Sequence, residues 1–222
     1  LTRELGGNRY AQFLAALAVL FSPIYLGISG YYSMNSFDHL FWLLGAYFIV
    51  LTGKTERPLY WILFGTTMGI GLQNKISVLF FGFGIFIGMI LTPYRRWFRT
   101  PWPWMAGVLA FLIFLPHILW QIQYGWPTAE FIRNATLYKN LPMTPIQFIS
   151  AQIMDMHPIL FPLWLLGLMG LLFLKKGKPY RLFGWMYLTV LIVLIMKNGK
   201  TYYLAPAYTI LFAAGAVFLE SW

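Results

Sequence analysis

Tyr31-Tyr32-Ser33-Met34-Asn35-Ser36-Phe37-Asp38-His39 is a short polar break between two long apolar runs. It carries Asp38, one of only six acidic residues, and His39, one of three histidines. An ionisable side chain at the edge of membrane-embedded sequence marks a functional site by default. Ser33, Asn35 and Asp38 are also residue types that start helices, so capping is the competing reading, and it does not exclude function. A second break, Gln73-Asn74-Lys75, interrupts the apolar run from Leu59 to Thr92. A lysine at the centre of a bilayer costs about 2.5–3.5 kcal/mol. Lys75 must offset that cost by snorkelling to the interface or by meeting an anion such as a phosphate.

These residues require a membrane scaffold. The chain is 222 residues long, 59% hydrophobic and 10% charged, with a mean hydropathy of +0.67. Soluble domains carry about a quarter charged residues. The expected class is therefore an all-α, polytopic transmembrane helix bundle forming a single transmembrane domain over residues 1–222. Cysteine is absent, which excludes thiol chemistry and a cysteine-ligated metal. The formal net charge of +10 does not call for nucleic acid as a partner. Basic loops beside anionic lipid, or a phosphate site, account for it. The chain starts at Leu1 and stops after an apolar run at Glu220-Ser221-Trp222, and reads as a fragment of a longer protein.

About eight membrane segments follow in order. Tyr10 to Gly30 is long enough to span, with a kink at Pro23. Leu40 to Thr52 resumes the apolar run, its helix beginning near Phe37, and Gly53 to Pro58 is a polar turn. Leu59 to Thr92 as one helix would measure about 51 Å, against a hydrocarbon core of ~30 Å, so it folds as a hairpin at Gln73-Asn74-Lys75 with two short arms. Trp102–Trp120, His157–Leu174, Leu182–Met196 and Leu204–Leu219 are the remaining spans. In the long connection from Gln121 to Met156, Thr144-Pro145-Ile146-Gln147 carries an N-cap, a proline at the first helical position and a capping-box glutamine. Ile146, Ile149, Ile153 and Met156 then share one face, with Gln147, Gln152 and Asp155 pointing elsewhere, as in a short amphipathic surface helix. The sequon Asn134-Ala135-Thr136 is too short a match to carry weight.

The basic residues set an orientation. With the N-terminal lead-in inside, eleven Lys and Arg fall in inside loops, and five fall outside: Lys75, Arg133, Lys139, Lys197 and Lys200. Asp38, Lys75, Lys197 and Lys200 then meet at one face of the membrane. Topology explains the inside basics and leaves the outside ones without such a cause.

An ordered set of short motifs extends over most of the chain. They are Ser33-Met34-Asn35-Ser36-Phe37-Asp38, Gly71-Leu72-Gln73-Asn74-Lys75-Ile76-Ser77, Phe114-Leu115-Pro116-His117-Ile118-Leu119-Trp120-Gln121, Gly125-Trp126-Pro127 and Lys200-Thr201-Tyr202-Tyr203-Leu204-Ala205-Pro206-Ala207. Together they resemble the membrane region of glycosyltransferase family 39, in the GT-C superfamily, with the protein mannosyltransferases and lipid A aminoarabinose transferases as relatives. The resemblance implies an inverting transferase that moves a sugar from a polyprenyl-phosphate donor to a glycan, lipid or protein acceptor on the outer face. It implies an integral protein of the bacterial inner (plasma) membrane. The family's catalytic Asp lies in a loop that this sequence is expected to lack, so the catalytic residue is unknown and Asp38 is not assigned to that role. Asp38, Asn74, Lys75, Lys197, Lys200 and Tyr202 are the substrate-binding candidates. Lysines bind phosphate as point charges and stabilise a departing phosphate. Tyr202 and Tyr203 either hydrogen-bond the donor or belong to the interfacial aromatic belt. Asp38 either orients a sugar hydroxyl, pairs with Lys75 or helps to hold a metal. No cofactor beyond the lipid-linked phosphosugar is called for. A divalent metal near Asp155 and His157 stays open, while His117 reads as a packed polar residue. A transporter or flippase for an anionic lipid or solute is the alternative, weakened by the absence of an inverted repeat and of a charge at mid-membrane depth. A scaffold subunit is a third class.

Overall fold

The computed structural model describes residues 1–138 (residue 136 by its backbone alone) and 142–221. Every regular element among them is helical. α1 (Arg9–Phe21) and α2 (Pro23–Ser29) form one broken span, bent by 64° where Ser22 and Pro23 interrupt the ladder. α3 (Met34–Thr55) starts at Ser33, whose Oγ accepts from the Asn35 amide at 3.3 Å. α4 (Leu59–Asn74) and α5 (Val78–Ile90) are the arms of the expected hairpin, and α5 turns by 102° into a 3-10 segment, Pro93–Arg99.

α6 (Trp102–Gln123) runs on to a corner, and the connection beyond it holds more than one helix. α7 (Pro127–Tyr138), which the sequence reading missed, precedes α8 (Pro145–Asp155). α9 (Phe161–Phe173), α10 (Arg181–Met196) and α11 (Ala205–Glu220) complete the bundle. α11 is its axis, buried almost continuously from Ala205 to Ala216 and packed by α9, α1 and α3.

Among the described residues, four helices are long and apolar enough to cross a membrane by themselves, and up to seven spans result if each bent pair counts as one. The expected number was about eight. The difference lies in α4, whose 16 residues fall short of a full crossing.

Close helix approach sets the packing. A Cβ at Gly65 of α4 would lie 2.5 Å from the Ala106 carbonyl oxygen of α6, and one at Gly88 of α5 would lie 2.5 Å from that of Leu182 in α10. Small residues let helix backbones meet where lipid offers no hydrophobic drive for association.

The acidic residues pin the two ends. At one end Glu4 accepts from Lys54 at 2.8 Å, Glu56 pairs with Arg96, and the Glu220 carboxylate takes the amides of Asn8 and Ala11 at 2.7 and 3.1 Å. That last contact places a carboxylate on the orphan amides of the α1 N-terminus. The hydrogen bond from Lys54 holds the Glu4 carboxyl below its usual range. Lys75 and Lys200 lie at the opposite end with Asp38 and Tyr202. Of the five basic residues assigned to that side, Lys139 lies outside the described residues.

α8 begins where the sequence places it and adds one contact that the sequence did not reveal. Its capping box is present in full, with Thr144 as N-cap and Gln147 reaching back. The face turned inward, however, is Phe148, Gln152 and Met156, while Ile146, Ile149 and Met154 are exposed. The buried Gln152 Nε2 donates to the Thr201 carbonyl at 3.1 Å. That bond gives the buried amide a partner between the apolar Phe148 and Met156 on the same face.

Candidate functional site

Two turns and one helix start build the site. Asp38 is the fifth residue of α3, beyond any capping position, and its side chain is 1% exposed. Lys75 ends α4 in extended backbone, which swings its side chain back across the hairpin. Asp38 Oδ2 accepts from Lys75 Nζ at 2.8 Å and from Ser77 Oγ at 2.8 Å. Of the roles weighed for Asp38, pairing with Lys75 is the one that the structure displays. Asn74 fixes the same corner by donating from Nδ2 to the Met34 carbonyl at 2.9 Å.

The 3-10 turn Thr201–Leu204 closes the site from above. Lys75 Nζ lies 5.4 Å from the Tyr202 ring centre and 5.0 Å from that of Tyr203, and Lys200 Nζ lies 5.8 Å from the Tyr202 ring. The rings of Tyr202 and Tyr203 meet edge to face at 4.8 Å. Two cations thus share an aromatic platform, an arrangement that favours positive charge by the ring quadrupole. Five of the six candidates, Asp38, Asn74, Lys75, Lys200 and Tyr202, come together here. Lys197 does not join the contacts; its side chain is exposed, with no ion pair among the described residues.

The charges decide what the corner can do. Asp38 neutralises Lys75, and the lysine is 9% exposed at its side chain. Beside it, Lys200 and, on the same turn, Lys197 carry positive charge that no ion pair among the described residues balances. Buried acceptors remain on α3: Asn35 Oδ1 and Asp38 Oδ1 have no hydrogen-bond partner among the described residues. Three positions apart on a helix, they share one face. Buried polar atoms left unmatched are uncommon and call for an explanation.

Other polar residues lie elsewhere. His39 packs edge-on against Tyr25, with ring centres 5.5 Å apart. His117 stacks on Phe114 and shares a hydrogen bond with Gln121, which also binds Thr128 at the corner of α6 and α7. His157 turns its Nδ1 to the Ile159 amide at 3.3 Å, and among the described residues no three His, Asp or Glu side chains gather as a metal-binding group. Sequence reasoning passed over Ser77 as a ligand of Asp38, although its signal was present: a hydroxyl two residues after the lysine in an otherwise apolar run.

The family model for dolichyl-phosphate-mannose-protein mannosyltransferase matches residues 1–120, more than half of the chain. The chain belongs to that family. As a member it is a glycosyltransferase embedded in a membrane by apolar helices. The matched segment contains Asp38, Asn74, Lys75 and Ser77, while the Lys197–Tyr203 turn that closes the site lies beyond it. Neither the curated proteins nor the solved structures gave a match.

Proposed function

We propose that the chain transfers a sugar from a polyprenyl-phosphate donor to an acceptor on the extracytoplasmic face, and that the Asp38–Lys75 corner forms part of its donor site. The family supports the donor class, and the distribution of basic residues supports the side of the membrane. The observation that carries the site is the pair of unmatched buried acceptors, Asn35 Oδ1 and Asp38 Oδ1, beside a fixed ion pair. Such acceptors suit sugar hydroxyls.

Roles divide by charge. Lys200 and Lys197, unbalanced and at the rim, receive the donor phosphate and stabilise its growing charge as it leaves. Lys75 and Asp38, already neutral as a pair, hold the hairpin and the 201–204 turn in register beneath it. Asn74 keeps the hairpin on the start of α3, and Tyr202 orients Lys200. The transfer inverts the anomeric centre, as is implied for this superfamily, and nothing among these residues is assigned as the base. Membrane lipids solvate the apolar faces; a glycan, lipid or protein serves as acceptor.

The test is a donor-dependent transfer assay on the full-length protein in proteoliposomes, with polyprenyl-phosphate sugar on one side at a time. Transfer from the side that exposes Lys200, reduced in Lys200→Ala, supports the reading. Transfer only from the Arg96 side, or movement of the donor across the bilayer without transfer, rejects it.

A further inference from the structure

Arg95, Arg96 and Arg99 stand together on the 3-10 segment Pro93–Arg99, at the end of the bundle remote from Lys75. All three are exposed. Glu56 pairs with Arg96, whereas no carboxylate among the described residues pairs with Arg95 or Arg99. The segment leaves α5 at 102°, so when α5 runs along the membrane normal its arginines lie in the plane of the interface. Phe98 lines both the arginine pocket and a second, adjoining cavity.

That second cavity is an apolar cleft of about 510 Å³ between α4, α5 and α6, walled by residues such as Phe64, Met68, Ile85, Trp104 and Phe111. It runs along α5 from Val78 to Met89, roughly 17 Å at ~1.5 Å per residue. The cleft thus extends over nearly all of α5, from beside the Lys75 turn to beside the arginine segment. Gly82 of α5 and Gly107 of α6 both border it, and a Cβ added at either would meet nothing within 4 Å. The cleft therefore keeps open space that two glycines help to provide.

We propose that this cleft and its arginine mouth bind an anionic glycerophospholipid, with an acyl chain between α4, α5 and α6 and the headgroup phosphate on Arg95 and Arg99. Two complementarities argue for this occupant. The guanidinium fork matches phosphate oxygens in paired hydrogen bonds. The apolar length, roughly 17 Å at ~1.5 Å per residue, matches one extended acyl chain of a glycerophospholipid, whereas a polyprenyl chain is longer. The charged mouth is at the opposite end from the proposed donor site, so this lipid is distinct from the donor and the inference stands independently of it. A lipid there would fill the space beside the short α4–α5 hairpin and brace it against α6.

Native mass spectrometry of the full-length protein, titrated with phosphatidylglycerol and with phosphatidylcholine, tests this. Wild type should retain phosphatidylglycerol about tenfold better, as one charge-assisted contact allows. Arg95→Ala with Arg99→Ala should abolish the preference. Gly107→Phe should reduce retention of both lipids by filling the cleft, with Gly82→Leu on the facing wall as the second variant should the first fail to fold. Lys175→Ala with Lys176→Ala, which removes charge from the same end, should leave the preference intact. Equal retention of the two lipids, an equal loss in the lysine variant, or displacement of phosphatidylglycerol by polyprenyl phosphate overturns the proposal.

Discussion

The Asp38 carboxylate and the Lys75 ammonium lie 2.8 Å apart, 37 positions apart in sequence, with almost none of either side chain exposed. This pair ties the start of α3 to the α4–α5 turn. Its burial makes its two halves strongly dependent on each other, because either charge alone would be stranded in a low-dielectric setting.

Removing one half should therefore be costly. Asp38→Ala or Lys75→Ala is expected to lower stability by about 3–5 kcal/mol, and the double substitution Asp38→Leu with Lys75→Met by much less. Thermal unfolding in detergent, run as a double-mutant cycle, reads the coupling directly. Additive effects of the two single alanines would show that the pair is not coupled.

Asp38→Asn keeps the size and removes the charge. Stability should fall, but by less than in Asp38→Ala, since Lys75 and Ser77 still have an oxygen to donate to, while transfer per folded molecule of the full-length protein should fall as well. Retained full activity would confine Asp38 to a structural part.

Donor binding should depend on the unbalanced lysines. Lys200→Ala is expected to weaken affinity for a polyprenyl-phosphate donor by about 1.5–3 kcal/mol, the range for a hydrogen bond to a charged group. Arg96→Ala, at the other end, should leave it unchanged. Equal affinity of wild type and Lys200→Ala in a calorimetric titration would remove the lysine from the site.

Single-cysteine labelling reads the orientation cleanly, because the chain has no native cysteine. Positions 134 and 200 should react with an impermeant reagent from outside, and positions 57, 96 and 176 from inside. Reaction of position 96 from outside would invert the assignment.

Gln152→Leu should loosen the 201–204 turn by deleting the donor to the Thr201 carbonyl, at about 1–3 kcal/mol for the stranded acceptor. Hydrogen exchange should rise at Tyr202 and Tyr203 and leave α9 unchanged. By contrast, Ile149→Ala on the exposed face of α8 should leave the turn unaffected.

The membrane class, the hairpin at Gln73-Asn74-Lys75 and the start of α8 at Thr144 were all legible in the sequence, because each follows from a local cause. A long apolar run can only be buried in lipid or core, a run longer than the bilayer must turn, and a Thr-Pro-x-Gln stretch satisfies its own helix end. The motifs also carried the family, which residues 1–120 bear out. Pairing across the chain was not legible in the same way. Asp38 had several physically reasonable partners, and only the meeting of α3 with the α4–α5 turn selected Lys75 and Ser77. Periodicity set Gln152 apart from the isoleucine face of α8, but its partner, the Thr201 carbonyl 49 positions further on, emerged only in the folded bundle. The location of a helix depends on neighbours along the chain; the face it buries depends on what the rest of the bundle presents to it, because an unmet polar group in a dry interior costs more than an exposed isoleucine at a membrane surface.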